Sequence, residues 1–116
     1  MVINNIDLNK KTVLVTGAAG FIGSNLVKEL IRTIPSIHIV GLDNMNEYYD
    51  VAIKEYRLAE IEKLIKENTE SSWTFIKGNL ADKTLIDELF SKYFFDVVVN
   101  LAAQAGVRYS IILNPI

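Results

Sequence analysis

The sequence predicts an α/β fold: a doubly wound parallel sheet of about four strands in the order 3-2-1-4, with helices on both faces. Three observations predict it. Four short apolar runs, "TVLVT", "IHIVGLD", "WTFIKGNL" and "FDVVVNLAA", carry little charge, as strands buried on both faces do. The segments between them repeat apolar residues at helical spacing. The connections are short, so each strand–helix–strand unit must cross to a parallel neighbour, and such crossovers are right-handed.

Each element has its own local reason. "TVLVT", 12–16, lies between Lys10–Lys11 and a glycine turn and forms the first strand. Gly23, Leu26, Val27, Leu30, Ile31 and Ile34 then make one apolar helical stripe, and Pro35 stops that helix. "IHIVGLD", 37–43, is the second strand. In the second helix, 51–68, Ile53, Leu58, Ile61, Leu64 and Ile65 supply the apolar face among charged residues. "WTFIKGNL", 73–80, is the third strand, and "ADKTLIDELFSKY", 81–93, the third helix, with Asp82 placed to cap its start. "FDVVVNLAA", 95–103, is the fourth strand, and "IILNPI", 111–116, reads as the start of a further helix.

Composition narrows the functional classes. A chain of 116 residues supports a single domain, 1–116, and half of its residues are hydrophobic, enough for a core. The net charge is −2 and no Lys/Arg stripe forms, which argues against a nucleic-acid partner. There is no cysteine, so disulfides, thiolate metal sites and a cysteine nucleophile are excluded, and a cytoplasmic location is expected. Neither a secretory signal nor an apolar run of about 18 residues is present, so no membrane partner is expected. His38 is the lone histidine, and no carboxylate stands at ligand spacing from it, so no metal site is expected.

The turn "TGAAGFIG", 16–23, carries chemistry. Gly17 lets the chain leave the first strand tightly, and Gly20 lets a pyrophosphate approach the backbone without a Cβ between them. Gly23 lies on the apolar stripe, where a missing side chain lets the helix sit close. The N–H groups of Phe21 and Ile22, in the unpaired first helical turn, face the phosphates with the positive end of the helix dipole behind them. Asp43, 20 residues after Gly23 at the tip of the second strand, is placed to accept hydrogen bonds from both hydroxyls of an adenosine ribose and to repel a 2′-phosphate. NAD is therefore the expected cofactor rather than NADP. No GxxxxGK[ST] pattern occurs, which excludes a P-loop.

"TGAAGFIGSNL", "GLDNMNEYYDVAIKEYRL" and "NLAAQAGVRYS" together resemble the extended short-chain dehydrogenase/reductase family, whose cofactor domain is of the Rossmann type. Within it the chain is most similar to NAD-dependent nucleotide-sugar epimerases of the UDP-glucuronate 4-epimerase type. The resemblance implies that Gly17, Gly20, Phe21, Ile22 and Gly23 hold the pyrophosphate and that Asp43 and Asn44 hold the adenosine ribose. It places Asn79 and Leu80 beside the adenine, with asparagine where relatives usually have an acid. Leu101, Ala102 and Ala103 line the passage to the nicotinamide. Asn100 stands where relatives often carry histidine. Arg108 is the one cation of the final loop, placed either to meet a substrate carboxylate or diphosphate or simply to face solvent.

The resemblance also implies a catalytic Tyr-x-x-x-Lys pair. It is absent from these residues: Tyr48, Tyr49, Tyr56, Tyr93 and Tyr109 are followed four positions on by Ala52, Ile53, Glu60, Val97 and Leu113. The expected function is the NAD-binding, N-terminal part of a larger nucleotide-sugar epimerase, an isomerase of UDP-sugars. On this reading the fold is truncated, no catalytic residue lies in the chain, and the chain alone is inactive. Two alternatives share these features: a fragment of a nucleotide-sugar dehydratase or decarboxylase, and a non-catalytic NAD-binding module. A truncated sheet would leave the edge of the fourth strand open, so self-association through that edge is expected.

Overall fold

The computed structural model describes residues 7–45, 51–101 and 110–113. Its elements run β1 (Lys11–Thr16), α1 (Phe21–Thr33), β2 (Ile37–Asp43), α2 (Val51–Glu67), β3 (Ser72–Lys77), α3 (Lys83–Lys92), β4 (Val97–Asn100) and β5 (Ser110–Leu113). The sheet order is β3-β2-β1-β4-β5. The first four strands are parallel, with Val13 opposite Ile39 on one side and Val97 on the other. The expected 3-2-1-4 order is the one observed.

Period-two alternation sorts the strand residues between two cores. Val13, Val15, Ile37, Ile39, Val97 and Val99 join Val27, Leu30 and Ile31 of α1 and Ile61 of α2 on one face. Leu14, Val40 and Leu42 meet Leu89 and Phe95 on the other, with Leu85 and Ile86 of α3 packed against them. Burying each such aliphatic side chain contributes about 1.5–3 kcal/mol, so both faces need their helices. Trp73 packs against the first core, which is the structural use of that aromatic. His38, exposed at the start of β2, pairs through Nδ1 with Ser72 Oγ at 2.8 Å.

The end of the chain departs from expectation. Ser110–Leu113 is a strand, not the beginning of a helix, and it pairs antiparallel with β4 from Val97↔Leu113 to Asn100↔Ser110. The expected open edge of the fourth strand is therefore corrected: β5 pairs with β4 there, because backbone donors and acceptors left at a sheet edge recruit any extended segment within reach.

The second helix turns Ile61 into the first core with Leu58, Leu64 and Ile65 packed against it, as expected, and departs from its expected face only at Ile53. Its buried residues are Lys54 and Ile61, and Lys54, Leu58, Ile61 and Ile65 fall at i, i+4, i+7 and i+11. Ile53, expected on the apolar face, is 48% exposed. A lysine occupies the first position of the inward stripe.

Candidate functional site

Four strand ends converge at the carboxyl edge of the sheet: Thr16, Asp43, Lys77 and Asn100 close β1, β2, β3 and β4. The chain passes from one face to the other between β1 and β4, the switch point where open α/β sheets form their crevice. Thr16 fastens that point. Its Oγ1 donates to Asn100 Oδ1 at 2.6 Å and accepts from the Leu101 N–H at 3.1 Å.

The glycine turn performs the expected tasks by identifiable contacts. Gly17 has φ 71, a left-handed conformation that side chains rarely adopt, and its N–H reaches Leu42 O at 2.8 Å. At Gly23 an added Cβ would overlap the Gly17 carbonyl oxygen and lie 2.9 Å from its carbon. Glycine there lets α1 rest on the turn itself. Gly20 is the N-cap of α1 and offers no side-chain acceptor, and the first turn contains no acidic residue. The leading N–H groups of this helix are thus left to a ligand or to water, with the helix dipole behind them. Phe21, at the helix start, is 68% exposed.

Asp43 is built into the turn more firmly than its position in sequence suggests. It is 6% exposed. Its Oδ2 accepts from the Ala19 N–H at 3.0 Å, and its Oδ1 accepts from the Met45 N–H at 2.8 Å and from Lys54 Nζ at 2.9 Å. Met45 has φ 54, a conformation that costs a non-glycine residue about 1–2 kcal/mol, and its bond to Asp43 helps hold it there. Lys54 is 8% exposed. Removing one partner of a buried ion pair costs about 3–5 kcal/mol, so Asp43 and Lys54 are mutually obligatory. Within the protein Oδ1 thus has two donors and Oδ2 one.

Arg57, one turn further along α2, places Nη1 3.3 Å from Ala19 O and its guanidinium carbon 5.8 Å from the Phe21 ring centre. Sequence reading missed Lys54 and Arg57. A signal for Lys54 existed, since a charge on an inward helical stripe requires a buried partner.

The remaining expected residues are distributed unevenly. Asn44 is exposed beside Asp43. Asn79 is exposed, and its Oδ1 accepts from the Ala81 N–H at 2.9 Å, so that oxygen is engaged in the turn entering α3. Leu80 stands partly exposed next to it. Leu101 is buried behind Thr16. Ala102, Ala103 and Arg108 lie outside the described residues. Among the described residues no group of His, Asp and Glu gathers as a metal site, and no helix is long and apolar enough to cross a membrane. A cleft of about 360 Å³ lined by Ile34, Pro35, Leu64 and Asn68 lies at the opposite ends of α1 and α2.

Further out, Lys28 of α1 and Glu60 of α2 pair at 3.1 Å. The hydrogen bond from Lys28 holds the Glu60 carboxyl below its ordinary value of 4.5.

Fold and turn together define a Rossmann-type domain, the class that presents a helix N-terminus and a strand-end acid to a dinucleotide. A family model described as GDP-mannose 4,6 dehydratase matches residues 14–115, and the chain belongs to that family. Protein CapI of Staphylococcus aureus is 46% identical over 99 residues, covering 85% of this chain and 27% of CapI. UDP-glucuronate 4-epimerase 4 of Arabidopsis thaliana is 42% identical over 102 residues, covering 88% of this chain and 21% of that enzyme. The chain thus spans under a third of the length of either. Among solved structures, dTDP-glucose 4,6-dehydratase from Bacillus anthracis in complex with NAD is similar with a TM-score of 0.62 and 26% identity, over 82% of this chain and 27% of that one. UDP-glucose 4-epimerase from Bifidobacterium longum in complex with NAD+ and UDP has a TM-score of 0.59 and 26% identity, over 80% and 24%.

Proposed function

We propose that these residues are the NAD-binding part of a nucleotide-sugar epimerase that inverts C4 of a UDP-sugar. The observation that carries the cofactor reading is the uncapped N-terminus of α1, set on the Gly17–Gly23 turn and tied through Ala19 to the Asp43 carboxylate. A diphosphate fits there because it needs N–H donors, a positive helix end and no intervening Cβ. NAD, when bound, supplies a reversible hydride acceptor.

The chain's own residues do the holding. Gly17, Gly20, Phe21, Ile22 and Gly23 cradle the pyrophosphate; Asp43 and Asn44 receive the adenosine ribose; Asn79 and Leu80 border the adenine. Leu101, Ala102 and Ala103 lead to the nicotinamide, and Arg108 meets the anionic part of the nucleotide-sugar. The similarity to UDP-glucuronate 4-epimerase 4 and to UDP-glucose 4-epimerase supports epimerisation. The family description and the dTDP-glucose 4,6-dehydratase likeness favour dehydration as the second reading. These 116 residues contain no Tyr-x-x-x-Lys, so proton transfer from the sugar hydroxyl is assigned to residues outside them, and the chain alone is inactive.

Titration of NADH fluorescence against the chain tests the cofactor site. Saturable binding that Asp43→Ala weakens by at least about tenfold, a loss of about 1.4 kcal/mol, is expected, and absence of binding to the unaltered chain sinks the reading. For the reaction, the protein containing these residues is incubated with UDP-sugars and its products are separated and weighed. An epimerase gives a new isomer of unchanged mass, whereas loss of water selects the dehydratase.

A further inference from the structure

We propose that the outer edge of β3 pairs with β3 of a second copy of this chain, joining the two sheets antiparallel about a two-fold axis at Thr74. β3 ends the sheet, and among the described residues no strand other than β2 pairs with it. The Gly78 N–H reaches Asp43 O at 3.0 Å. Backbone groups of alternate strand residues address opposite sides, so Ser72, Thr74 and Ile76 turn theirs to β2, and Trp73, Phe75 and Lys77 turn theirs outward. Such an edge recruits another strand unless charge, proline or a bulge blocks it. Residues 72–76 contain no charge and no proline, and their register with β2 is unbroken.

The strand is complementary to itself. Centred on Thr74, the antiparallel pairing sets Trp73 opposite Phe75 of the second copy and Phe75 opposite its Trp73. Both residues carry outward backbone groups, so each pair exchanges two hydrogen bonds. Trp73 and Phe75 already stack with ring centres 6.3 Å apart, and the pairing extends that stack across the axis as cross-strand aromatic pairs. Charge selects the same arrangement. Glu70 precedes the strand and Lys77 ends it, both exposed and without an ion-pair partner among the described residues. Antiparallel pairing sets Lys77 opposite Ser71 of the second copy, one residue from its Glu70, whereas in-register parallel pairing sets like charges together. The contact is isologous and closes as a dimer. β5, at the other end of the sheet, offers four residues where β3 offers six. A contact limited to one strand pair lies toward the low end of interface sizes, so the dimer is weak and depends on concentration.

The absence of cysteine makes the axis directly testable. Thr74 is exposed and faces its own copy as a non-hydrogen-bonded pair, with Cα atoms about 4.5 Å apart, within disulfide range. Thr74→Cys treated with diamide as oxidant is expected to give a covalent dimer at concentrations where Thr84→Cys, exposed on α3, stays monomeric. Sedimentation velocity of the unaltered 116-residue chain is expected to show a monomer–dimer equilibrium. Thr74→Lys should weaken it at least about tenfold, because like charges then stand directly opposite. Mixing Thr74→Lys with Thr74→Glu should restore the dimer, a rescue that a folding defect in either variant would not produce. Equal cross-linking at the two cysteine positions, or a monomer at every concentration, overturns the inference. Association that Thr74→Lys leaves unchanged also overturns it and places the contact on another surface.

Discussion

Two strand-to-helix turns at the same edge of the sheet solve the same problem in opposite ways. The β3–α3 turn satisfies its helix internally: Asp82 Oδ1 accepts from the Leu85 N–H at 3.2 Å, and Asn79 Oδ1 from the Ala81 N–H. The β1–α1 turn supplies no such side chain, and Gly20 occupies the capping position. Both helices begin beside a strand end, and both present a positive dipole end. A capped helix has used its leading donors; an uncapped one keeps them for an anion. What marks the candidate site is thus a set of ordinary stabilising bonds that α1 lacks and α3 possesses.

That contrast can be broken most forcefully at Gly23. Gly23→Leu drives side-chain atoms into the Gly17 carbonyl, and overpacking of this kind costs about 1–3 kcal/mol or more. Urea unfolding should show the loss of stability, and NADH binding should vanish with the displaced turn. A reciprocal exchange of caps sharpens the contrast. Gly20→Asp gives α1 the device of α3; stability changes by only a few tenths of a kcal/mol, while NADH affinity drops at least about tenfold because a carboxylate occupies the anion position. Asp82→Ala should cost about 1 kcal/mol in stability and leave NADH affinity alone. If Gly20→Asp binds NADH as well as the unaltered chain, the uncapped helix end is not the anion site.

The smallest effect is expected at the Lys28–Glu60 pair, which joins α1 to α2 behind the turn. The Glu60 carboxyl is held below its ordinary value, so its contribution is present above the unfolded value and is lost as pH falls through the lower folded one. Glu60→Gln should therefore reduce stability slightly at neutral pH and remove part of the acid dependence. Thermal unfolding from pH 3 to pH 7 reads both. Because the carboxylate is still partly exposed to solvent, the difference is small and shrinks in salt.

The order of elements was legible because each rests on local chemistry. The β-branched runs, Pro35 after α1 and the Asp82 cap mark their own positions whatever surrounds them. The glycine spacing was legible for the same reason: Gly17 needs its φ of 71 locally, and Gly23 meets an atom only six residues away. Lys54 was harder to read. Its stripe partners Leu58, Ile61 and Ile65 are visible in the sequence, but the choice between that stripe and the one through Ile53 depends on how α2 is rotated against the sheet.

By itself the sequence determined the alternation of strands and helices, the parallel order of the first four strands and the glycine turn with an acid at the tip of β2. These follow from periodicities of two and 3.6 residues and from backbone conformations that only certain residues adopt. Tertiary structure alone decided that β5 pairs with the edge of β4 and that Asp43 is partnered by Lys54. Each of these depends on which groups are left unsatisfied once the elements have packed, and a buried or edge polar group takes whatever partner the fold brings within hydrogen-bonding distance.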